Sequence, residues 1–396
     1  MSNINSEHYF DWAATAPFDT QILEDSLKES FESWGNPSSI YKIGTQAKTA
    51  LNAAREKCAK VLDVKPETLF FTSGGTESDH IPLLSILNRP EKGSILVSSI
   101  EHPALREQCN VLSRLGYKIV KINPDSNGII QPKTVEQQLT EDTLYVSVMA
   151  VNNETGAIQN VKEIAEIIKE KAGAKRKPKF HVDFVQGLGK IPVELKDSGI
   201  DSAAFSAHKI GGPRGIGLLY IANPLSTDPF LRGGGQEQNV RSGTENVFGA
   251  IAFSKCIEKY AITGSNQEML NRFEEQKKYT NEFIKKLSSL KNFHLIPEAR
   301  LDEDFADKNF SPWVVQAAFD KIPGQVMVRA LDAKGFYIST GSACSSKKNS
   351  RPILEAMNVA PNLRENAVRF SFGSKTTPEA INALFDAVKE VCDTFK

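Results

Sequence analysis

The stretch Ser202-Ala203-Ala204-Phe205-Ser206-Ala207-His208-Lys209-Ile210-Gly211-Gly212-Pro213-Arg214-Gly215-Ile216-Gly217-Leu218-Leu219-Tyr220-Ile221 reads as a strand, a glycine-rich turn and a second strand. Short apolar runs bounded by turn residues mark buried strands. Lys209 then stands at the end of the first strand beside His208, where burial or a cationic neighbour lowers an amine's pKa and leaves part of it neutral. Such an amine can form an imine with an aldehyde cofactor. Lysines beside glycines are more often solvated loop residues, so what surrounds Lys209 decides its role.

Outward from this stretch, strand-like and helix-like segments alternate. Strands are predicted at residues 94–97, 118–122, 144–149, 180–182, 202–206 and 217–221, with helices at 104–115, 133–139 and 161–171. In the last of these helices Val161, Ile164, Ala165 and Ile168 fall on one stripe. This alternation predicts an α/β fold whose mostly parallel central sheet carries helices on both faces. Upstream, residues 45–62 are predicted helical because Ala47, Ala50, Leu51, Ala54, Cys58 and Val61 share a face. Downstream, a charge-rich helical region over 267–290 leads into a smaller α+β part with strands at 313–319, 336–340 and 367–372. Its last helix is expected to start at Thr376-Thr377-Pro378-Glu379, with Thr376 capping and Glu379 three residues on. The expected division is a segment 1–17 packing on the small domain, a large domain over 18–262 and the small domain over 263–396.

Composition excludes several functions. Forty-eight basic residues balance forty-eight acidic ones, so no global field favours nucleic acid or a membrane surface. Residues 1–10 lack the regions of a signal peptide and no apolar run is long enough to cross a bilayer, which predicts a cytoplasmic protein. Five cysteines without metal-ligand spacing fit a reducing compartment, and no metal site is expected. Cys58, Cys109, Cys256 and Cys392 fall in amphipathic helical surroundings and read as core residues. Cys344 falls instead among the small and polar residues of Ser339-Thr340-Gly341-Ser342-Ala343-Cys344-Ser345-Ser346-Lys347-Lys348-Asn349, where nearby lysines favour a thiolate.

Further stretches put polar residues just beyond predicted strands, the edge at which open α/β sheets bind ligands. Phe71-Thr72-Ser73-Gly74-Gly75-Thr76-Glu77 is a strand, two glycines and a helix start, which suits a phosphate through close backbone N–H groups and the helix dipole. It matches neither a Walker loop nor a dinucleotide fingerprint, and a tight turn with a Thr cap is the plainer alternative. Pro82 falls in the following helix and is expected to end or bend it. In His181-Val182-Asp183-Phe184-Val185-Gln186 an aspartate closes a buried strand, where its carboxylate needs a cation, either an arginine or a protonated pyridine nitrogen. His102, fixed by Pro103, can stack on a planar cofactor, and Asn153, in Asn152-Asn153-Glu154-Thr155-Gly156, again follows a strand. Arg369 alternates with Val368 and Phe370, so its fork meets either a substrate carboxylate or an acidic side chain.

Together these motifs resemble the cysteine desulfurases of the NifS/IscS type, within the class V aminotransferase family. That family uses pyridoxal 5'-phosphate on the aspartate-aminotransferase-like fold (PLP fold type I). The pieces that carry the resemblance, in family order, are Asp11-Trp12-Ala13-Ala14-Thr15, Gly35-Asn36-Pro37-Ser38-Ser39, Thr72-Ser73-Gly74-Gly75-Thr76-Glu77-Ser78, Asn152-Asn153-Glu154, His181-Val182-Asp183, Ser206-Ala207-His208-Lys209, Arg241-Ser242-Gly243-Thr244, Gly341-Ser342-Ala343-Cys344 and Arg369-Phe370-Ser371. They span nearly the whole chain.

The resemblance implies that Lys209 holds the cofactor covalently and moves the substrate Cα proton, that Asp183 pairs with the pyridine nitrogen, and that His102 stacks on the ring and acts in proton transfer. It places Gln186 and Asn153 near the phenolic oxygen or the substrate. Gly75, Thr76, Ser206 and His208 would hold the phosphate, with Thr244 from a second subunit, which implies a homodimer. Arg369 would bind the carboxylate of L-cysteine, and Cys344 would be the nucleophile that takes the sulfur as a persulfide, releases alanine and passes the sulfur to an acceptor protein. The acceptor would serve iron–sulfur cluster assembly or tRNA thiolation. His80, Pro82, the 174–178 insertion and Lys347-Lys348-Asn349 depart from the family pattern and bear on the choice of acceptor. A related lyase such as a selenocysteine lyase, and a catalytically silent sulfur-transfer scaffold, are the alternatives.

Overall fold

Seven of the apolar runs pair into one sheet: β1 (Leu69–Thr72), β2 (Ser94–Ser98), β3 (Lys118–Ile122), β4 (Thr143–Ser147), β5 (Lys179–Asp183), β6 (Ser202–Ser206) and β7 (Gly217–Ile221), in the order β1-β7-β6-β5-β4-β2-β3. The computed structural model describes residues 6–173, 176–341 and 350–395, so Cys344, the Lys347-Lys348-Asn349 run and part of the 174–178 insertion lie outside the described residues. Neighbours from β3 to β6 are parallel, whereas β7 runs antiparallel to both β6 and β1. Every residue of β1, β2, β6 and β7 is buried, because helices cover both faces and leave no room for an alternating polar side. The Gly75–Leu84 helix packs on β6 and β7, and the Lys42–Val61 helix packs on the Val247–Tyr260 helix.

A second, antiparallel sheet has the order β10-β9-β8, from β8 (Phe293–Ile296), β9 (Val314–Phe319) and β10 (Ala367–Ser371). The chain before residue 18 adds to it: Tyr9 bridges Tyr337, Asp11 bridges Ser371, and the Ser371 N–H donates to the Phe10 carbonyl at 2.8 Å.

Two local expectations are corrected. Residues 336–340 form no continuous strand, because their backbone partners are divided: Tyr337 bridges Tyr9 while Ser339 bridges Arg369. The last helix, Pro378–Thr394, is capped by Thr377, whose hydroxyl accepts from the Ala380 N–H at 3.2 Å. Pro378 takes the first helical position, so the cap must be the residue before it, and the Thr376 hydroxyl accepts instead from the Gly373 N–H at 2.9 Å. Pro82 does sit inside its helix, which gives way to a 3-10 turn after Leu84.

Beside β1, the Arg55 guanidinium donates to both oxygens of buried Glu237, at 2.7 and 2.6 Å, and the Phe71 N–H donates to the same carboxylate at 2.7 Å. This fork holds Glu237, Gln238 and Asn239 in the left-handed region, at φ 45°, 55° and 66°. Such conformations are disfavoured by about 1–2 kcal/mol per residue outside glycine. Glu237→Ala leaves Arg55 buried without its partner and is expected to lower stability by about 3–5 kcal/mol, measured as a shift of the denaturant midpoint.

Candidate active site

Five strands deliver their functional residues at one edge of the large sheet, because β2, β4, β5 and β6 are parallel and β1 shares their direction across β7. At that edge lies a cavity of about 250 Å³. Gly75, Thr76, His102, Asn153, Asp183, Gln186, Ser206, His208, Lys209 and Arg369 all line it. Ala13, Ala14, Asp79, Met149, Val185 and Gly341 complete the wall. Thr244 does not: it is exposed, away from the cavity of its own chain.

Lys209 ends a single 3-10 turn, Ala207–Lys209, that follows β6 directly. Its Nζ donates to the carbonyls of Ala13 and Ala14, at 2.6 and 2.8 Å, so the N-terminal segment forms part of the wall around the amine. His208 is hydrogen-bonded through Nδ1 to the Thr15 hydroxyl at 3.1 Å. Burial, then the charge of Lys209, lowers its pKa to about 3, so the ring is neutral. Gln186 donates to the Ala13 carbonyl at 2.8 Å and accepts from buried Lys190.

Asp183 ends β5 and is 4% exposed. Its Oδ1 accepts from the Val185 N–H at 2.8 Å, and among the described residues no lysine or arginine forms an ion pair with it. Burial, then the charge of Asp79, pushes its pKa up to about 8. Of the two cations open to this carboxylate, arginine is thus excluded among the described residues. His102 caps the Pro103–Arg114 helix, its Nδ1 accepting from the Ala104 N–H at 3.2 Å. The neutral ring therefore carries its proton on Nε2. Burial and Lys209 lower its pKa to about 4.

The Thr72 hydroxyl spans the tight turn, donating to the Gly74 carbonyl at 3.1 Å and accepting from the Gly74 N–H at 3.4 Å, but the helix Gly75–Leu84 itself starts without a side-chain cap, which leaves its first N–H groups for a ligand. Gly74, at φ 157° and ψ −178°, holds a conformation open essentially to glycine. Arg369 is 2% exposed and donates to the Asn153 carbonyl and to Asp11 Oδ1, both at 2.7 Å, while its Nε is buried without a partner. The acidic neighbour and the cavity thus share one fork. Asn153 Oδ1 is likewise buried without a partner.

Pyridoxal phosphate fits these residues: an uncapped helix start for its phosphate, a buried carboxylate that pairs with no lysine or arginine among the described residues for its ring nitrogen, and an amine on the cavity wall for its aldehyde. Asp79 on the wall, and Glu101 and Lys190, which bond to the wall residues Met149 and Gln186 from behind it, escaped the sequence motifs. Asp79 lies one helical turn after Thr76 and so shares its face, a spacing that was available as a signal. Its Oδ1 lies 3.1 Å from His181 Nε2, and the other ring nitrogen lies 2.9 Å from the Ser202 hydroxyl. Glu101, fully buried, accepts from the Met149 N–H at 2.7 Å. No local pattern distinguishes Glu101 or Lys190 from a surface charge.

Fold and site together define a pyridoxal-phosphate enzyme of the aspartate-aminotransferase-like class. The model of the aminotransferase class-V family matches residues 8–384, and the chain belongs to that family. It is 36% identical over 398 residues to the cysteine desulfurase IscS of Methanosarcina thermophila, covering 99% of this chain and 93% of the relative. The cysteine desulfurase IscS of Dictyoglomus turgidum is 35% identical over 396 residues, 98% of this chain and 95% of the relative. A solved structure described as a NifS-like protein superposes with a TM-score of 0.87 at 33% identity, covering 98% of this chain and 99% of that one.

Proposed function

We propose that the chain is a cysteine desulfurase, which takes sulfur from L-cysteine, releases L-alanine and holds the sulfur as a persulfide on Cys344 for an acceptor protein. The observation that carries this is the convergence of Lys209, Asp183, His102, Asn153, Gln186 and Arg369, from separate stretches, on one cavity of about 250 Å³. Full-length likeness to proteins named cysteine desulfurase supports the choice of substrate. Cys344 stands three residues after Gly341, which is part of the cavity wall.

Pyridoxal phosphate, when bound, supplies a sink for the electron pair left at the substrate Cα. Lys209 holds the cofactor and moves the Cα proton through Nζ. Asp183 would set a negative charge against the ring nitrogen, and Gly75, Thr76, Ser206 and His208 would hold the phosphate. His102, with its proton on Nε2, would lie against the bound cofactor and could donate or take a proton there. Arg369 directs the substrate carboxylate through its fork, and Asn153 orients the substrate beside it. The Cys344 thiolate attacks the substrate sulfur: the S–S bond forms, the Cβ–S bond breaks, and its electron pair ends in a C–H bond of alanine.

The protein acts as a homodimer in this proposal, with Thr244 completing the partner's phosphate site. Support comes from exposed Thr244 and from exposed Phe230 and Leu231, which line a second hollow of about 310 Å³ with Arg241 and Glu77. A cytoplasmic setting is supported by four free, buried cysteines, and none of the described helices is long and apolar enough to cross a membrane. Incubation with L-cysteine is expected to release alanine and add one sulfur to the Cys344 peptide, while Cys344→Ser does neither in a single turnover. Alanine released at the parental rate by the variant would refute the persulfide step.

A further inference from the structure

We propose that Glu154 and Arg351 are positioning residues that fix the two described ends, Gly341 on the cavity wall and Arg351, between which the residues carrying Cys344 stand in sequence. The inference rests on Cys344 being the nucleophile, as proposed above. Residues 342–349 are flanked by Gly341 and by Ser350-Arg351, and both flanks meet one buried carboxylate. Glu154 is 1% exposed, and its Oε2 lies 3.2 Å from the Arg351 guanidinium. Gly341 packs against the same group so closely that a Cβ there would lie 2.7 Å from Glu154 Oε2 and 2.9 Å from Arg351. Its φ of 134° also requires glycine.

Each partner is itself tied into the fold. Arg351 donates to the carbonyls of Arg364 and Ala367, at 3.3 and 3.2 Å, just before and at the start of β10. The Gln316 amide, oriented so that both its ends are satisfied, donates to the Glu154 carbonyl at 3.0 Å and accepts from Arg351 at 3.1 Å. The Glu154 N–H donates to Asn152 Oδ1 at 2.9 Å. Asn153, the residue before Glu154, lines the cavity, and its carbonyl accepts from Arg369 at 2.7 Å. One carboxylate therefore joins the wall assigned to the substrate with both flanks of the thiol-bearing segment. Buried ion pairs add little stability over apolar packing, whereas a misplacement of about 1 Å at a reacting centre lowers a rate by roughly 100-fold.

The test uses the full-length holoenzyme with Glu154→Gln, which keeps size and removes charge, and Arg351→Lys, which keeps charge and removes the fork that meets Glu154 and Gln316 with one nitrogen and the Arg364 and Ala367 carbonyls with the other. Each variant is expected to slow single-turnover persulfide formation at Cys344 by roughly 10- to 100-fold, with the affinity read from the cysteine-induced absorbance change held within about twofold. The double variant is expected to be no slower than the slower single one, because both break the same contact. Parental persulfide rates in both variants, or equal losses of affinity and rate, would overturn the pairing. Should Glu154→Gln fail to fold, Arg351→Lys carries the same test. Absence of persulfide in the parent protein would instead sink the desulfurase assignment, and the pairing with it.

Discussion

Lys209→Ala is expected to yield protein without the visible absorbance of covalently held cofactor and with turnover of L-cysteine lowered by roughly 10⁴-fold or more. In the proposed mechanism two functions leave with one amine, the covalent hold on the cofactor and the proton transfer at Cα, so the loss exceeds that of a single general base. The site explains why no neighbour substitutes. His102 and His208 also line the cavity, but burial and Lys209 lower their pKa values to about 4 and 3, and His102 Nδ1 is engaged by the Ala104 N–H. The side chain also donates to the Ala13 and Ala14 carbonyls, so a melting curve must accompany the assay. Wild-type absorbance and borohydride-stable label in the variant would refute the assignment.

Asp183→Asn is expected to lower turnover by roughly 10²–10³-fold, the usual effect of removing one preorganised charge from a reacting centre. Asparagine fills the same space and leaves the Val185 N–H an acceptor, so the loss isolates the charge. A second readout needs no turnover. In the cofactor-free chain the folded carboxyl keeps its proton up to about pH 8, through burial and then the charge of Asp79. The unfolded carboxyl releases its proton near about pH 4. Between these values the folded state holds one proton more, so stability falls as pH rises, by up to about 1.4 kcal/mol per pH unit. Asparagine lacks this slope. The melting temperature of the parent relative to Asp183→Asn is therefore expected to decline from about pH 4 to pH 8 and to flatten once the cofactor is bound, because a cation then faces the carboxylate. A difference independent of pH would show that Asp183 is ionised throughout.

Much of the site was legible because of where its residues stand on strands. Asp183 and Ser206 each close an apolar run, and strands of uniform direction bring such ends to one edge whatever the order of the strands. The strand, glycines and helix start of residues 71–77 were legible for a similar local reason. Asp79, Glu101 and Lys190 were not. Each is a charged residue whose burial depends on what packs over it, and the sequence shows charge without showing cover. The 336–340 segment was misread because an apolar run promises a strand only if one neighbour pairs along its whole length, and here two neighbours divide it.

From the sequence alone came the α/β class, most strand positions and the chemical identity of the groups at the strand ends, since periodicity and turn residues are local properties of the chain. The tertiary structure alone decided that Asp183 pairs with no lysine or arginine among the described residues, that Arg369 shares its fork with Asp11 and Asn153, and that Glu154 meets both Gly341 and Arg351. These are contacts between residues far apart in the chain. Their energies depend on burial and distance, which no stretch of sequence contains by itself.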